Sequence, residues 1–75
     1  MPLSTADLLA LADPSDNDLR RYVAARGGAK PARNLLFDAG QAVQADQDLD
    51  DHARERQARR IVGLIDRIAR LYPTR

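Results

Sequence analysis

From position 61 onward the apolar residues recur at the three-and-four spacing of an α-helix: Ile61, Leu64, Ile65, Ile68, Leu71 and Tyr72 share one stripe. A stripe this wide must be covered, either by the rest of the chain or by a partner. The spacing predicts one long helix from about Asp48 to Tyr72, closed by Pro73, which disfavours helical geometry at the residue before it. The first half of this helix differs from the second. The sector that later carries leucine and isoleucine holds Asp50, Arg54 and Gln57 there, so this half has little to bury and is expected to project past the core or form its polar rim.

Charge alternates in four blocks along the chain. Met1 to Asp18 holds four Asp and no base, and Leu19 to Arg33 holds four Arg with Lys30 and no acid. Asp38 to Asp51 holds five Asp and no base, and His52 to Arg75 holds seven Arg against Glu55 and Asp66, so that the net charge of +1 hides strong local fields. Two of the acid-then-base pairs overlay expected helices in the order favoured by the helix dipole.

Three shorter helices are expected before the long one. Ser4 and Asp7 resemble a capping box that introduces Leu8, Leu9, Leu11 and Ala12 before Asp13 and Pro14 break the run. Asp16, Asn17 and Asp18 offer caps for a second helix through about Arg26, with Leu19, Tyr22 and Val23 on one face, and Gly27 and Gly28 end it as left-handed residues. Pro31 fits the first turn of a third helix whose stripe is Ala32, Leu35, Leu36, Ala39, Ala42 and Val43. Phe37 points roughly 150° away from the centre of that stripe, which makes it a packing residue on a second side or an exposed anchor for a partner.

The expected fold is therefore all-α, one domain spanning residues 1–75, with three or four helices and a long C-terminal one. Its core joins Leu8, Leu9, Leu19, Val23, Leu35, Leu36, Val43, Ile61, Leu64, Ile65 and Ile68. A domain of this size keeps only about 3–5 kcal/mol from a single core, and with no cysteine neither disulfides nor thiolate metal sites can reinforce it. Oligomerisation or a partner is the remaining reinforcement. The N-terminal stretch Met1 to Ala12 lacks the pattern of a secretory signal and no run approaches a membrane span, so a cytoplasmic setting is expected. Arginine outnumbers lysine eleven to one, which reads as the codon usage of a GC-rich bacterial or phage genome.

Catalysis finds few candidates. The hydroxyls Ser4, Thr5 and Ser15 sit at helix boundaries, Thr74 lies in the terminal segment, and the single histidine, His52, stands among Asp48, Asp51 and Glu55 on an exposed helix. Asp46, Asp48 and Asp50 copy the alternating acids that open a calcium loop, but Asp51 stands where that loop needs glycine and Gln57 where it needs a bidentate glutamate. Gly27 and Gly28 are not followed by the lysine and hydroxyl residue of a phosphate loop. Catalytic, cofactor-binding and metal-ligating residues are accordingly not assigned, and the chain is expected to be no enzyme and to carry no cofactor.

Two functions remain. In the first, the chain is a protein-interaction module, such as a small bacterial or phage regulator or inhibitor, and forms homodimers. Its partner contacts are Phe37 and Tyr72 as apolar anchors, with Arg56, Arg59, Arg60, Arg67 and Arg70 as a basic stripe on the long helix, opposite Ile65 and Ile68 and with Gly63 in its middle. An antiparallel pair would set the acidic start of one long helix against the basic end of the other. In the second, the two helices joined at Gly27 and Gly28 act as a helix-turn-helix that binds nucleic acid through Lys30, Arg33 and Asn34.

Overall fold

The computed structural model describes residues 3–73; Met1, Thr74 and Arg75, which enter the sequence argument above, lie outside the described residues. Four helices follow in order: α1 (Thr5–Ala10), α2 (Asp16–Arg26), α3 (Ala29–Ala45) and α4 (Asp51–Leu71), with no strand among the described residues. No helix is long and apolar enough to cross a membrane.

Local chemistry sets the boundaries. Ser4 and Asp7 form the expected reciprocal capping box at α1. The cap of α2 is Ser15 rather than Asp16, Asn17 or Asp18, because the Ser15 hydroxyl accepts the Asp18 N–H at 3.1 Å while the Asp18 carboxylate accepts the Ser15 N–H at 3.0 Å. At the other end of α2 the Gly27 N–H reaches the Ala24 carbonyl and the Gly28 N–H the Val23 carbonyl, a paired closure that requires the positive φ of 87° at Gly27. The chain enters α3 directly, with Pro31 in its first turn. The long helix begins at Asp51, three residues later than the spacing predicts. Asp50 caps it by accepting the Ala53 N–H at 2.7 Å, and the acidic segment before it is a loop in which Asp46 accepts the Asp48 N–H.

Helices α3 and α4 form an antiparallel hairpin: the same small groove is lined by Phe37 beside Ile65 and by Gln44 beside Ala58. At its centre Gly40 lies against Ile61, whose Cγ2 would stand 3.6 Å from a Cβ at that position, an ordinary packing distance. The molecule measures 35 × 30 × 18 Å, and the short dimension is about two helix diameters. Its two layers are α1 with α2 over one side of the α3–α4 hairpin. Between the layers lie Leu8, Leu19, Tyr22, Val23, Ala32, Leu36, Ile61, Leu64 and Ile68, with Leu9, Val43 and Ile65 packed at the margin.

Two expectations about the core change. Leu35 is 40% exposed, because α3 turns Ala32, Leu36 and Val43 inward and leaves Leu35 at the edge of the stripe. Tyr22 is instead fully buried. Its hydroxyl shares a 2.7 Å hydrogen bond with Thr5 Oγ1, which removes the cost of burying an unpaired polar group, and the Arg26 guanidinium lies 5.5 Å from its ring centroid while donating to the Leu3 carbonyl.

Candidate partner-binding face

The side of the α3–α4 hairpin away from α1 and α2 has no cover among the described residues. Phe37 is 58% exposed and Val62 is 63% exposed, and both line one shallow depression of about 140 Å³ floored by Gly40, Ala58, Ile61 and Ile65. Their adjacency follows from helical geometry. Phe37 is one residue past the buried Leu36 and Val62 one residue past the buried Ile61, so each is rotated about 100° from a core position. Because the helices run antiparallel, the two rotations bring both side chains to the same open side.

Polar and charged groups continue this face in both directions. Toward the start of α3, Lys30, Arg33 and Asn34 line a neighbouring depression together with Phe37 and Ile65. Toward the start of α4, Gln44, Asp51, Arg54, Glu55 and Arg59 surround the far end next to Val62. Lys30, Arg33 and Asn34 are thus gathered with Phe37 on one surface. Helix α3 packs along α4, and its outward side carries the exposed Asp38 and Leu35.

The basic stripe expected on α4 divides into three parts. Arg59 is paired with Glu55 at 2.6 Å and Arg70 with Asp66 at 2.8 Å, both on the helix surface. Arg56 and Arg60 are exposed and without a carboxylate within 4.0 Å among the described residues; with His52, Glu55 and Arg59 they border a second side of α4. Arg67 leaves the stripe. Its side chain is 34% exposed and is bonded to the Pro14 carbonyl and to Asp16, so it fastens the fold and is not a free contact. Tyr72 also departs from its expected place, since it is half-buried against the core and presents no protruding anchor. Gly63, in the middle of the stripe, has nothing within 4 Å of its Cβ position.

Val62 is the residue that sequence reasoning missed. It lies one step off the core stripe, like Phe37, and becomes visible as a surface residue only once α1 and α2 are known to cover the other side of the hairpin.

The acids of the α3–α4 loop act on the backbone. Asp46 and Asp50 each accept a local N–H, and no group of three ligating side chains comes together among the described residues. Arg54 completes the loop, donating to the Asp46 and Leu49 carbonyls at 2.8 Å each and to Asp51 at 2.8 Å. Of the titratable groups, Asp18 is held below the usual aspartate range, first by the Ser15 backbone N–H and then by the Ser15 hydroxyl, both of which favour the charged carboxylate.

Comparison of the chain with protein-family models, with curated proteins and with solved structures finds no match.

Proposed function

We propose that this chain is a non-enzymatic protein-interaction module that binds through the open face of the α3–α4 hairpin. The observation that carries the proposal is the adjacency of exposed Phe37 and Val62 over a depression floored by Gly40, Ala58, Ile61 and Ile65 and bordered by Gln41 and Gln44. A partner that covers these two side chains gains about 1 kcal/mol from each, half or more of the transfer value of a fully exposed side chain. An aromatic centre surrounded by polar and charged groups is the anatomy of a protein contact, with the apolar centre giving affinity and the rim giving orientation. A role as a small regulator or inhibitor that acts by occupying its partner fits a domain of 75 residues. The gathering of Lys30, Arg33 and Asn34 around Phe37 supports their use in the same contact.

Site-specific photo-cross-linking tests the proposal. A photoreactive residue at Gln41, beside Phe37, is expected to form protein adducts in extract of the source cells, whereas the same group at Arg20, exposed on α2, is not. Equal labelling at the two positions, or none at Gln41, would overturn it.

A further inference from the structure

The open side of the hairpin is one continuous groove with uncompensated charge at one end. Its central depression shares Phe37 and Ile65 with the depression at the start of α3, and Gln44, Ala58 and Val62 with the one at the start of α4. At the α4 end the lining charges cancel, because Asp51 is paired with Arg54 and Glu55 with Arg59. Asp66, one turn past Val62, is paired with Arg70. At the α3 end Lys30 and Arg33 stand without a carboxylate within 4.0 Å among the described residues, and the exposed Asp38 lines none of the three depressions. Lys30 also stands in the first turn of α3, where the helix dipole disfavours positive charge, so its charge is not explained by the stability of its own helix.

The groove has the shape of a helix seat. It lies between two antiparallel helices and runs from Lys30 to Gln44, about 21 Å or four turns at the helical rise. Gly40 and Ala58 put little side chain on its floor beside Phe37 and Val62, which leaves room for a ridge of side chains from an amphipathic helix. Lys30 and Arg33 precede Phe37 by seven and four residues, about 10 and 6 Å along α3. A nucleic-acid strand is favoured less, since two free cations neutralise at most two phosphates and the carboxylates of Asp51 and Glu55 border the far end.

We infer that the groove takes an amphipathic helix of a partner protein, seated with its apolar side over Phe37 and Val62 and with acidic residues confined to the end that meets Lys30 and Arg33. The inference rests on the interaction-module reading of this face and adds the chemistry and direction of the partner. The direction follows from the charges: carboxylates one to two turns from the apolar anchor gain two cations at the α3 end, whereas at the α4 end they would meet Asp51 and Glu55.

Fluorescence anisotropy of the full chain with two labelled peptides tests it. Both peptides are four-turn helices with the same leucine stripe; one carries glutamates at the positions facing Lys30 and Arg33, the other lysines. The wild type is expected to bind the glutamate peptide on the order of 10-fold more tightly at low salt, with the difference shrinking as salt rises. The double change Lys30→Glu and Arg33→Glu should reverse the preference, and Phe37→Ala should weaken both peptides alike at every salt concentration. Unchanged helical circular dichroism is expected for both variants, since Phe37 and Lys30 are exposed and Arg33 has no ion pair. Equal affinity for the two peptides, a preference for the lysine peptide, or no binding of either at about 1 mM, where even feeble specific contacts register, would overturn the acidic helix as occupant. So would tighter binding of a labelled oligothymidylate than of the glutamate peptide, which would assign the groove to nucleic acid. Where neither peptide binds, adducts at Gln41 with another protein would leave the interaction-module reading standing, whereas their absence would remove both.

Discussion

Arg67 on α4 donates to the carbonyl of Pro14, which lies 53 positions earlier in the α1–α2 turn, at 2.7 Å. The same guanidinium reaches Asp16 Oδ1 at 3.0 Å. Pro14 is buried, so its carbonyl sits where water has little access and a charged donor compensates for that loss. The α1–α2 layer is thereby pinned to the second half of the long helix by one side chain.

Replacing Arg67 with Met keeps most of the apolar stem and removes both bonds. A loss of about 1–2 kcal/mol is expected, toward the lower end for a charged hydrogen bond because the group is partly solvated. Asp16→Asn removes only an exposed ion pair and should cost less than about 0.5 kcal/mol. Urea denaturation compares the two; equal losses would show that the ion pair, and not the carbonyl bond, does the fastening.

The glycines separate into two kinds. Gly27 holds a φ of 87°, which a side chain rarely adopts, and Gly27→Ala is expected to cost about 1 kcal/mol. Gly63 lies inside α4 with open space around its Cβ position, and Gly63→Ala should stabilise by about 0.5–1 kcal/mol through helix propensity alone. Thermal melts of the two variants should shift in opposite directions.

Asp18 supplies a pH dependence with a defined sign. Its folded pKa is lowered by the Ser15 N–H and hydroxyl, so the folded state holds its proton less tightly than the unfolded state. The resulting stabilisation is present above the unfolded carboxylate value and is lost as pH falls through the lower folded value. Ser15→Ala deletes the hydroxyl and should raise the Asp18 titration midpoint toward the ordinary range, as followed by carboxyl NMR; an unchanged midpoint would assign the effect to the Ser15 N–H and the Arg21 charge.

The helices were legible where local chemistry dominates. Ser4 with Asp7, the Gly27–Gly28 pair, Pro31 and Pro73 mark ends that depend on neighbours in sequence. The apolar stripe of α4 likewise marks its buried side. What sequence could not supply was the side of the α3–α4 hairpin that the other layer covers. That choice decides whether Leu35 is core, whether Val62 is surface and whether Arg67 is free. Tyr22 was legible as a member of an apolar face, but its depth depends on Thr5 arriving from another helix to satisfy the hydroxyl. Phe37 was singled out correctly as lying off its stripe, whereas its neighbour Val62 comes beside it only through the antiparallel pairing.

Arg54 gives the clearest conflict between pattern and structure, and a prediction that distinguishes them. It occupies the angular sector that later holds Ile61, Leu64 and Ile68, so by periodicity alone Arg54→Leu should improve the helix. The guanidinium instead donates to the Asp46 and Leu49 carbonyls, closing the loop that links α3 to α4, and its side chain is only 22% exposed. Leucine would add apolar area but leave two carbonyls without their donor, and such partly buried acceptors cost about 1–3 kcal/mol each when unpaired. The loss outweighs the gain of about 1 kcal/mol from one more half-covered side chain. Arg54→Leu is therefore expected to destabilise the domain by about 1–5 kcal/mol, with faster amide exchange in residues 46–50 before any change at the far end of α4. A variant more stable than wild type would show that the loop carbonyls are satisfied by water and that the apolar sector extends through the whole helix.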